Sequence, residues 1–289
     1  DVVVGNLEFV LAAGGRPWPG KVFHFRADPA AVASLETAGF ALVSVANNHV
    51  LDFGVAAALE SLATLAGRDI RFAGAGPDLD AARALAVVAR DGLSIGMIAF
   101  TDNEPDWAAG PAAPGVHHAP VDPRDPRAAA ILDAVARAKA DVDLLIASAH
   151  WGGNWGADVP RSHRAFARAL VEAGADVVFG HSPHIVRGIE VIRGRPVLYG
   201  TGDFVDDYAV DPVERNDRSF VFVLRTEGAT PVELRLHPTE IESCRVRLAR
   251  GHAREAADVM ARRCAALGTR ADWDAHEGCL AIRIEPAAA

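Results

Sequence analysis

The sequence predicts one α/β domain built on a mixed sheet. Two observations predict it. Short apolar runs alternate with helical periodicities along the first two thirds of the chain, and tight-turn dipeptides join paired runs, mostly in the second half. The length of 289 residues allows one large domain or two small ones, with enough chain to bury a core without disulfides.

Each element has a local reason. Val2–Val4 is the first strand-like run. Asp28-Pro29 reads as an N-cap followed by Pro at the first helical position, with Gly39 as a stop. Ala41–Ala46 is a strand. Val55, Leu59, Leu62 and Ala66 mark a helix face that Gly67 ends, and Ile70–Ala73 is a short strand. Leu85–Val88 and Ile95–Phe100 form a hairpin around Asp91-Gly92. Residues 101–124 are rich in Pro, Gly and Asp and read as a long loop, of a length often tied to function. Ile131, Leu132, Val135 and Ala138 mark the next helix, and Leu144–Ala149 the next strand. Pro160 opens a helix with Phe166, Ala169, Leu170 and Ala173 as its buried face, closed by Gly174, and Val177–Phe179 is a strand. Ile189–Ile192 and Val197–Tyr199 pair around Arg193-Gly194, and Ser219–Leu224 and Val232–Leu236 around Glu227-Gly228. A last helix carries Ala256, Val259, Met260 and Leu267 on one face, and Leu280–Ile284 is a closing strand.

Composition removes several classes of function. Lys plus Arg number 29 against 38 Asp plus Glu, a formal net charge of -9, and the basic residues are scattered. That argues against nucleic acid and anionic membranes as partners. Half the residues are hydrophobic and 23% are charged, a globular profile. No apolar run approaches the roughly 18 residues of a membrane span. Cys244, Cys264 and Cys279, spaced by 20 and 15, fit neither a disulfide framework nor a zinc knuckle. The opening Asp1-Val-Val-Val-Gly5 is not a signal peptide. It lacks Met and starts on a strand that reads as buried, so an upstream segment is expected, and the compartment stays open.

The chemistry is carried by where polar residues fall. Four strand-like runs each end in a polar cluster: Gly5-Asn6-Leu7-Glu8, Asn47-Asn48-His49-Val50-Leu51-Asp52-Phe53-Gly54, His150-Trp151-Gly152-Gly153 and Gly180-His181-Ser182-Pro183-His184. In open α/β sheets ligands bind beyond the carboxyl ends of strands, so the four clusters are expected on one rim. Each piece alone reads as turn, packing or terminator; the repetition is what points to a site. Glu8, Asn48, His49, Asp52, His150, His181 and His184 offer nitrogen and oxygen ligands without thiolate. That set suits divalent Mn, Fe, Zn or Mg rather than a structural zinc site. A two-metal centre, with ions about 3.5–4 Å apart, would polarise a substrate and generate hydroxide.

These blocks, together with Gly200-Thr-Gly-Asp-Phe204, resemble the bacterial capsule-biosynthesis CapA family, also called the poly-γ-glutamate synthesis family, of the calcineurin-like metallophosphoesterase superfamily. The resemblance runs from the first residue to about Leu236. It implies a four-layer α/β/β/α sandwich with mixed sheets and metals at the strand termini. By position, Glu8 stands at the metal-bridging carboxylate and Asn48 at the Asn ligand of the second metal. His150, His181 and His184 stand at the later His ligands. His49 stands at the His that contacts the scissile group and acts as general acid.

The sequence departs from the family in three places. The Gly-Asp motif of the opening strand is absent, because the chain begins downstream of it. Ser182 stands where many members have a second His, and Asp203 where many have Asn. Asp203, Asp206, Asp207 and Tyr208 read either as an acidic cluster near the site or as a solvated loop. The expected organisation is one domain over 1–289 lacking its N-terminal strand, with 237–289 as a C-terminal extension packed on it.

Three functions are compatible. The first is metal-dependent hydrolysis of a phosphoester or an amide, linked to capsule or poly-γ-glutamate biosynthesis, with His49 protonating the leaving group. The second is metal-assisted peptide epimerisation, as the family includes a lasso-peptide epimerase; His49 with Asp52, and His181 or His184 with Asp203, would supply two acid/base pairs. The third is a non-catalytic component of a capsule synthesis or export complex that binds an acidic polymer. His49, Asp52 and Asp203 are thus the expected catalytic residues, and Asn6, Trp151 and Ser182 the expected substrate-binding ones. Arg161, Arg164 and Arg187 read as cations for an acidic substrate or, better, as helix or hairpin surface residues, His117-His118 as reaching the rim or, better, as part of the loop, and Trp107, Trp151 and Trp155 as groove or packing residues.

Overall fold

Short strands that bury both faces need cover on both sides, and the chain supplies it in layers. In the computed structural model, which describes residues 1–285, the chain divides into two compact units, Asp1–His150 and the residues from Trp151 onward.

The first unit runs β1 (Val3–Asn6), β2 (Val10–Leu11), β3 (Arg26–Ala27), a 3-10 turn at Pro29–Ala31, α1 (Val32–Thr37), β4 (Phe40–Ser44), α2 (Val55–Ala66), β5 (Arg71–Ala73), β6 (Ala75–Gly76), α3 (Leu79–Ala82), β7 (Ala86–Arg90), β8 (Leu93–Thr101), a 3-10 turn at Pro105–Trp107, β9 (Gly115–Val116), α4 (Pro126–Lys139) and β10 (Leu144–His150). One sheet has the order β1-β4-β5, all parallel. In the other, β8 pairs in parallel with β10 and antiparallel with β7. The sheets face each other through β4 and β5 against β7 and β8, while α2 packs on β5 and α4 on β8 and β10. This is the expected α/β/β/α layering, within this unit.

Sequence periodicity accounts for it. Val43 and Val45 cluster with Leu62 and Leu65 of α2. The alternate residues Leu42 and Ser44 project to the opposite face and are also buried. Every residue of β10 is buried, as expected of a mostly apolar strand covered on both faces. Asp28 caps the turn at Pro29, accepting from Ala30 N–H at 2.8 Å. Asp91 and Gly92 both take positive φ (51° and 81°), the twist a two-residue hairpin turn needs. The 101–124 segment is less loop-like than expected. β9 pairs with β6, Thr101 bridges to His118, and Trp107 is buried.

The second unit runs α5 (Arg161–Glu172), β11 (Val177–His181), β12 (Ile189–Ile192), β13 (Arg195–Leu198), β14 (Arg218–Glu227), β15 (Thr230–Glu242), β16 (Arg245–Leu248), α6 (Ala253–Ala265), β17 (Asp272–Asp274) and β18 (Cys279–Arg283). β13 pairs in parallel with β11 and antiparallel with β12. A second sheet has the order β14-β15-β18-β17, with β16 also on β15. α6 packs against β12, β15 and β18. Two helix faces differ from expectation. In α5 the buried side is His163, Phe166, Ala167, Leu170 and Val171, with Ala169 and Ala173 only half-buried. In α6 it is Ala256, Ala257, Met260 and Cys264, with Val259 half-buried. Both faces rotate toward a residue a purely apolar pattern undervalues: a stacking His in one, a thiol in the other. The three cysteines are unbridged. Among the described residues no helix is long and apolar enough to cross a membrane.

Candidate metal centre

In the first unit, parallel pairing sets the end of β1 beside the end of β4, with Asn6 opposite Ser44. Glu8 and the Asn47-Asn48-His49 loop therefore emerge at one edge of that sheet. Asn47 organises the edge: its Nδ2 donates to Leu7 O at 2.8 Å and to Asn6 Oδ1 at 3.1 Å, and its Oδ1 accepts from His49 N–H at 3.1 Å. Asn6, expected to bind substrate, instead accepts from Asn47 and donates from Nδ2 to Glu8 Oε2. Both ends of its amide are engaged in aiming Glu8. Glu8 Oε1 lies 3.6 Å from Nε2 of the buried His150. That is too long for a hydrogen bond. It suits two donors to one ion, which lie about 3–4 Å apart when each is about 2.0–2.2 Å from the metal. Asn48 Oδ1 is buried without a hydrogen-bond partner. A buried amide oxygen without a hydrogen-bond partner suits a divalent cation, which binds through oxygen and nitrogen donors.

Beside it, His49 Nδ1 lies 2.7 Å from Asp52 Oδ2. Asp52 is fully buried, yet its carboxyl is held below the ordinary carboxylate range. Burial alone would raise it; hydrogen bonding and charge from His49, the Lys21 ammonium and Phe25 N–H outweigh that. Asp52 thus engages the His49 imidazole from a fully buried position.

In the second unit, β11 ends at His181, which is buried and whose pKa burial lowers to about 3, so the ring is neutral and able to ligate. Gly180 before it admits no side chain: a Cβ would stand 2.4 Å from Leu198 O and 2.8 Å from Trp151 Nε1. Ser182, expected at the substrate, donates its hydroxyl to Gly152 O at 3.0 Å and holds that loop. His184 Nδ1 lies 2.8 Å from Asp203 Oδ1, so a carboxylate engages that nitrogen. Its ring sits between Trp155 and Tyr208, with centroids at 5.5 and 4.9 Å. Asp206 is raised to about 7, first by burial and then by the neighbouring Asp203 carboxyl. Asp207 is exposed.

Two expectations fail here. Trp151 is fully buried, donates Nε1–H to Tyr199 O at 3.0 Å and stacks on His163. It is packing, not a substrate contact. Arg187 is not a surface residue. It is buried, and its guanidinium donates to the carbonyls of Gly153, Trp155 and Gly156 at 3.2, 3.3 and 3.0 Å. Arg161 and Arg164 keep to the helix surface, Arg164 pairing with Glu190 at 3.0 Å. His117 is buried in the core, where its Nδ1 bonds Ala99 O at 3.0 Å.

Lys21, Phe25, Asn47 and Arg187 are the residues sequence reasoning missed or undervalued. Asn47 had a signal, since it precedes two candidate site residues. Lys21 and Phe25 sit in a Gly- and Pro-rich stretch with no motif.

Comparison with known proteins decides the family. Residues 1–208 match the family described as bacterial capsule synthesis protein PGA_cap. The chain belongs to the PGA_cap family. A Mycobacterium tuberculosis protein described as a probable polyglutamine synthesis accessory protein is 40% identical over 217 residues, covering 72% of this chain and 56% of that protein. The PGA biosynthesis protein CapA of Bacillus subtilis is 32% identical over 210 residues, covering 72% of this chain and 53% of the relative. This PGA_cap chain thus spans little more than half the length of these curated relatives. Among solved structures, a phosphatase from Mycoplasma pneumoniae aligns with a TM-score of 0.45 at 14% identity, over 86% of this chain and 79% of that one. The matched PGA_cap region contains every candidate ligand, from Glu8 to His184, and the Asp203–Asp206 pair; β14 to β18 and α6 lie beyond it.

Proposed function

We propose that this chain is a metal-dependent hydrolase of phosphoester or amide bonds that serves capsule or poly-γ-glutamate biosynthesis. The observation that carries the reading is the buried, unpartnered Asn48 Oδ1 next to the His49–Asp52 pair. It puts an oxygen donor in need of an electrophile beside an imidazole oriented to move a proton. Glu8, Asn48, His150, His181 and His184 are the proposed ligands of two divalent ions, Mn, Fe, Zn or Mg. When bound, such ions supply Lewis acidity toward an acidic substrate and a nucleophile at neutral pH.

The chain's own residues do the rest. Asn47 and Asn6 aim Glu8. Asp52 accepts from His49 Nδ1 and fixes the tautomer that leaves Nε2 toward the reacting group, where the protonated ring delivers a proton to the leaving oxygen or nitrogen. With a net charge of -9, the chain offers an acidic polymer or peptide little attraction except at cations held locally. The test is metal content of the purified protein, followed by hydrolysis of p-nitrophenyl phosphate and of γ-glutamyl oligopeptides. Loss of turnover on chelation and its return with Mn or Zn is expected. A metal-free protein that stays metal-free on titration would overturn the reading.

A second reading, metal-assisted peptide epimerisation, is favoured by the second imidazole–carboxylate pair, His184–Asp203. Two such pairs are what proton removal and return at a Cα require. Deuterium uptake from solvent into a peptide without cleavage would select it. Stoichiometric binding of poly-γ-glutamate without either reaction would instead assign the chain to a polymer-binding role in a synthesis complex.

A further inference from the structure

The stretch between β2 and β3, residues 12–25, is built as a strap over the loop that carries His49. Gly14, Gly15, Pro17, Pro19 and Gly20 give it bends without helix or strand. Its polar contacts converge on one residue. Trp18 N–H donates to the backbone carbonyl of Asp52 at 2.7 Å, and Phe25 N–H donates to Asp52 Oδ2 at 2.7 Å. Lys21 Nζ lies 2.7 Å from Asp52 Oδ1 and also donates to the backbone carbonyl of Asn48. The ammonium sits 4.6 Å above the ring of the buried Trp107, and the side chain is only 13% exposed. Phe25 packs its ring 4.1 Å from that of His49.

We infer that Lys21 is a positioning residue of the His49 site: by bridging Asn48 and Asp52 it fixes the loop between them and, through Asp52, the imidazole. This rests on the proposed roles of Asn48 and His49. The ammonium spans the two ends of the segment Asn48–Asp52, and its effect on the chemistry is exerted through Asp52, the partner of the proposed acid. Asp52 has no exposed surface, so its charge must be met by groups already in place. Of its polar side-chain partners His49 and Lys21, the ammonium of Lys21 is the permanent cation. The same contacts argue against Lys21 as a substrate-binding cation. Its donors are directed at a carboxylate and a carbonyl, with an aromatic face below. An acidic substrate would have to compete with a buried ion pair.

The experiment is a double-mutant cycle in the metal-loaded protein, using Lys21→Met, Lys21→Arg and the His49→Ala background. Lys21→Met is expected to lower kcat by about 10–100-fold, the weight of a small misplacement of a catalytic group. KM should stay within about twofold, and Lys21→Arg should recover most of the loss, because guanidinium reaches the same carboxylate. In His49→Ala, adding Lys21→Met should change kcat by less than about twofold. An equal loss in both backgrounds, or no loss in either, overturns the inference. If the wild type turns over no substrate, the proposed function fails but Lys21 is still testable. Amide hydrogen exchange at residues 48–52 should then quicken in Lys21→Met and stay slow in Lys21→Arg, and unchanged exchange overturns it. Lys21→Gln replaces Met in each arm if the Met variant does not fold.

Discussion

His49 Nδ1 and Asp52 Oδ2 stand 2.7 Å apart, and no water reaches Asp52. The carboxylate favours the His49 tautomer protonated on Nδ1. His49→Ala should keep the fold and the metal and lower turnover by roughly 10²–10⁴, the usual weight of general acid catalysis. A wild-type rate in that variant would remove His49 from the mechanism. Asp52→Asn should lower turnover by at least about 10² as well, since an amide can turn a donor toward Nδ1 and favour the wrong tautomer.

Asn48 gives a sharper test of metal binding, because its Oδ1 makes no hydrogen bond. Asn48→Ala should cost the metal-free protein less than about 1 kcal/mol, for no bond is lost at that atom. It should also abolish the rise in Tm on adding Mn or Zn, a rise worth about 2.7 kcal/mol when the ion is at a hundred times its Kd. His181→Ala should lose the same metal response and the activity together. A metal-dependent Tm shift surviving in both variants would exclude both residues as ligands.

The strands were legible because their faces are. Leu42–Val45 alternates between two buried sides, and β10 reads as one mostly apolar run. The candidate cluster was legible because polar residues follow strand ends, which is where parallel pairing puts a site. What the sequence hid are contacts made by loops. Lys21 meets Asp52 across 31 positions, with β3, α1 and β4 between them, and no spacing rule reports that. Arg187 looked like a surface residue because nothing local signals that the Gly153–Gly156 loop turns three carbonyls toward it. Trp151 and Asn6 sit inside motifs, and motif position alone does not separate a side chain that touches substrate from one that braces its neighbour.

Arg187 is therefore a stability determinant. Arg187→Met removes the donors to Gly153, Trp155 and Gly156, the loop that also accepts from His184 N–H through Asn154 O at 2.8 Å. Bonds from a charged donor are worth about 1.5–3 kcal/mol each, but these carbonyls lie on a mostly exposed loop that water can reach. A net loss of about 2–3 kcal/mol is expected, read as a lower urea midpoint, with faster proteolytic nicking in residues 152–158. An unchanged midpoint and nicking rate would show that the loop holds itself.

Acid sensitivity should come in part from His117. Its ring is buried, and burial is the main cause of a pKa lowered from 6.5 to about 4, despite the bond from Nδ1 to Ala99 O. The folded state thus holds His117 neutral, while the unfolded chain takes up a proton near 6.5. Stability from this group is fully present above pH 6.5 and is lost as pH falls toward 4, by roughly 3 kcal/mol in all. His117→Asn offers an amide donor to the same carbonyl without a proton to gain. At pH 7.5 it should be less stable than wild type by about 1 kcal/mol, the cost of a smaller buried side chain. Between pH 6.5 and 4 its stability should fall less steeply, by up to one proton's worth of slope, so that the two urea-unfolding curves converge and cross. Parallel pH profiles for the two proteins would mean that His117 does not titrate in the folded-to-unfolded transition.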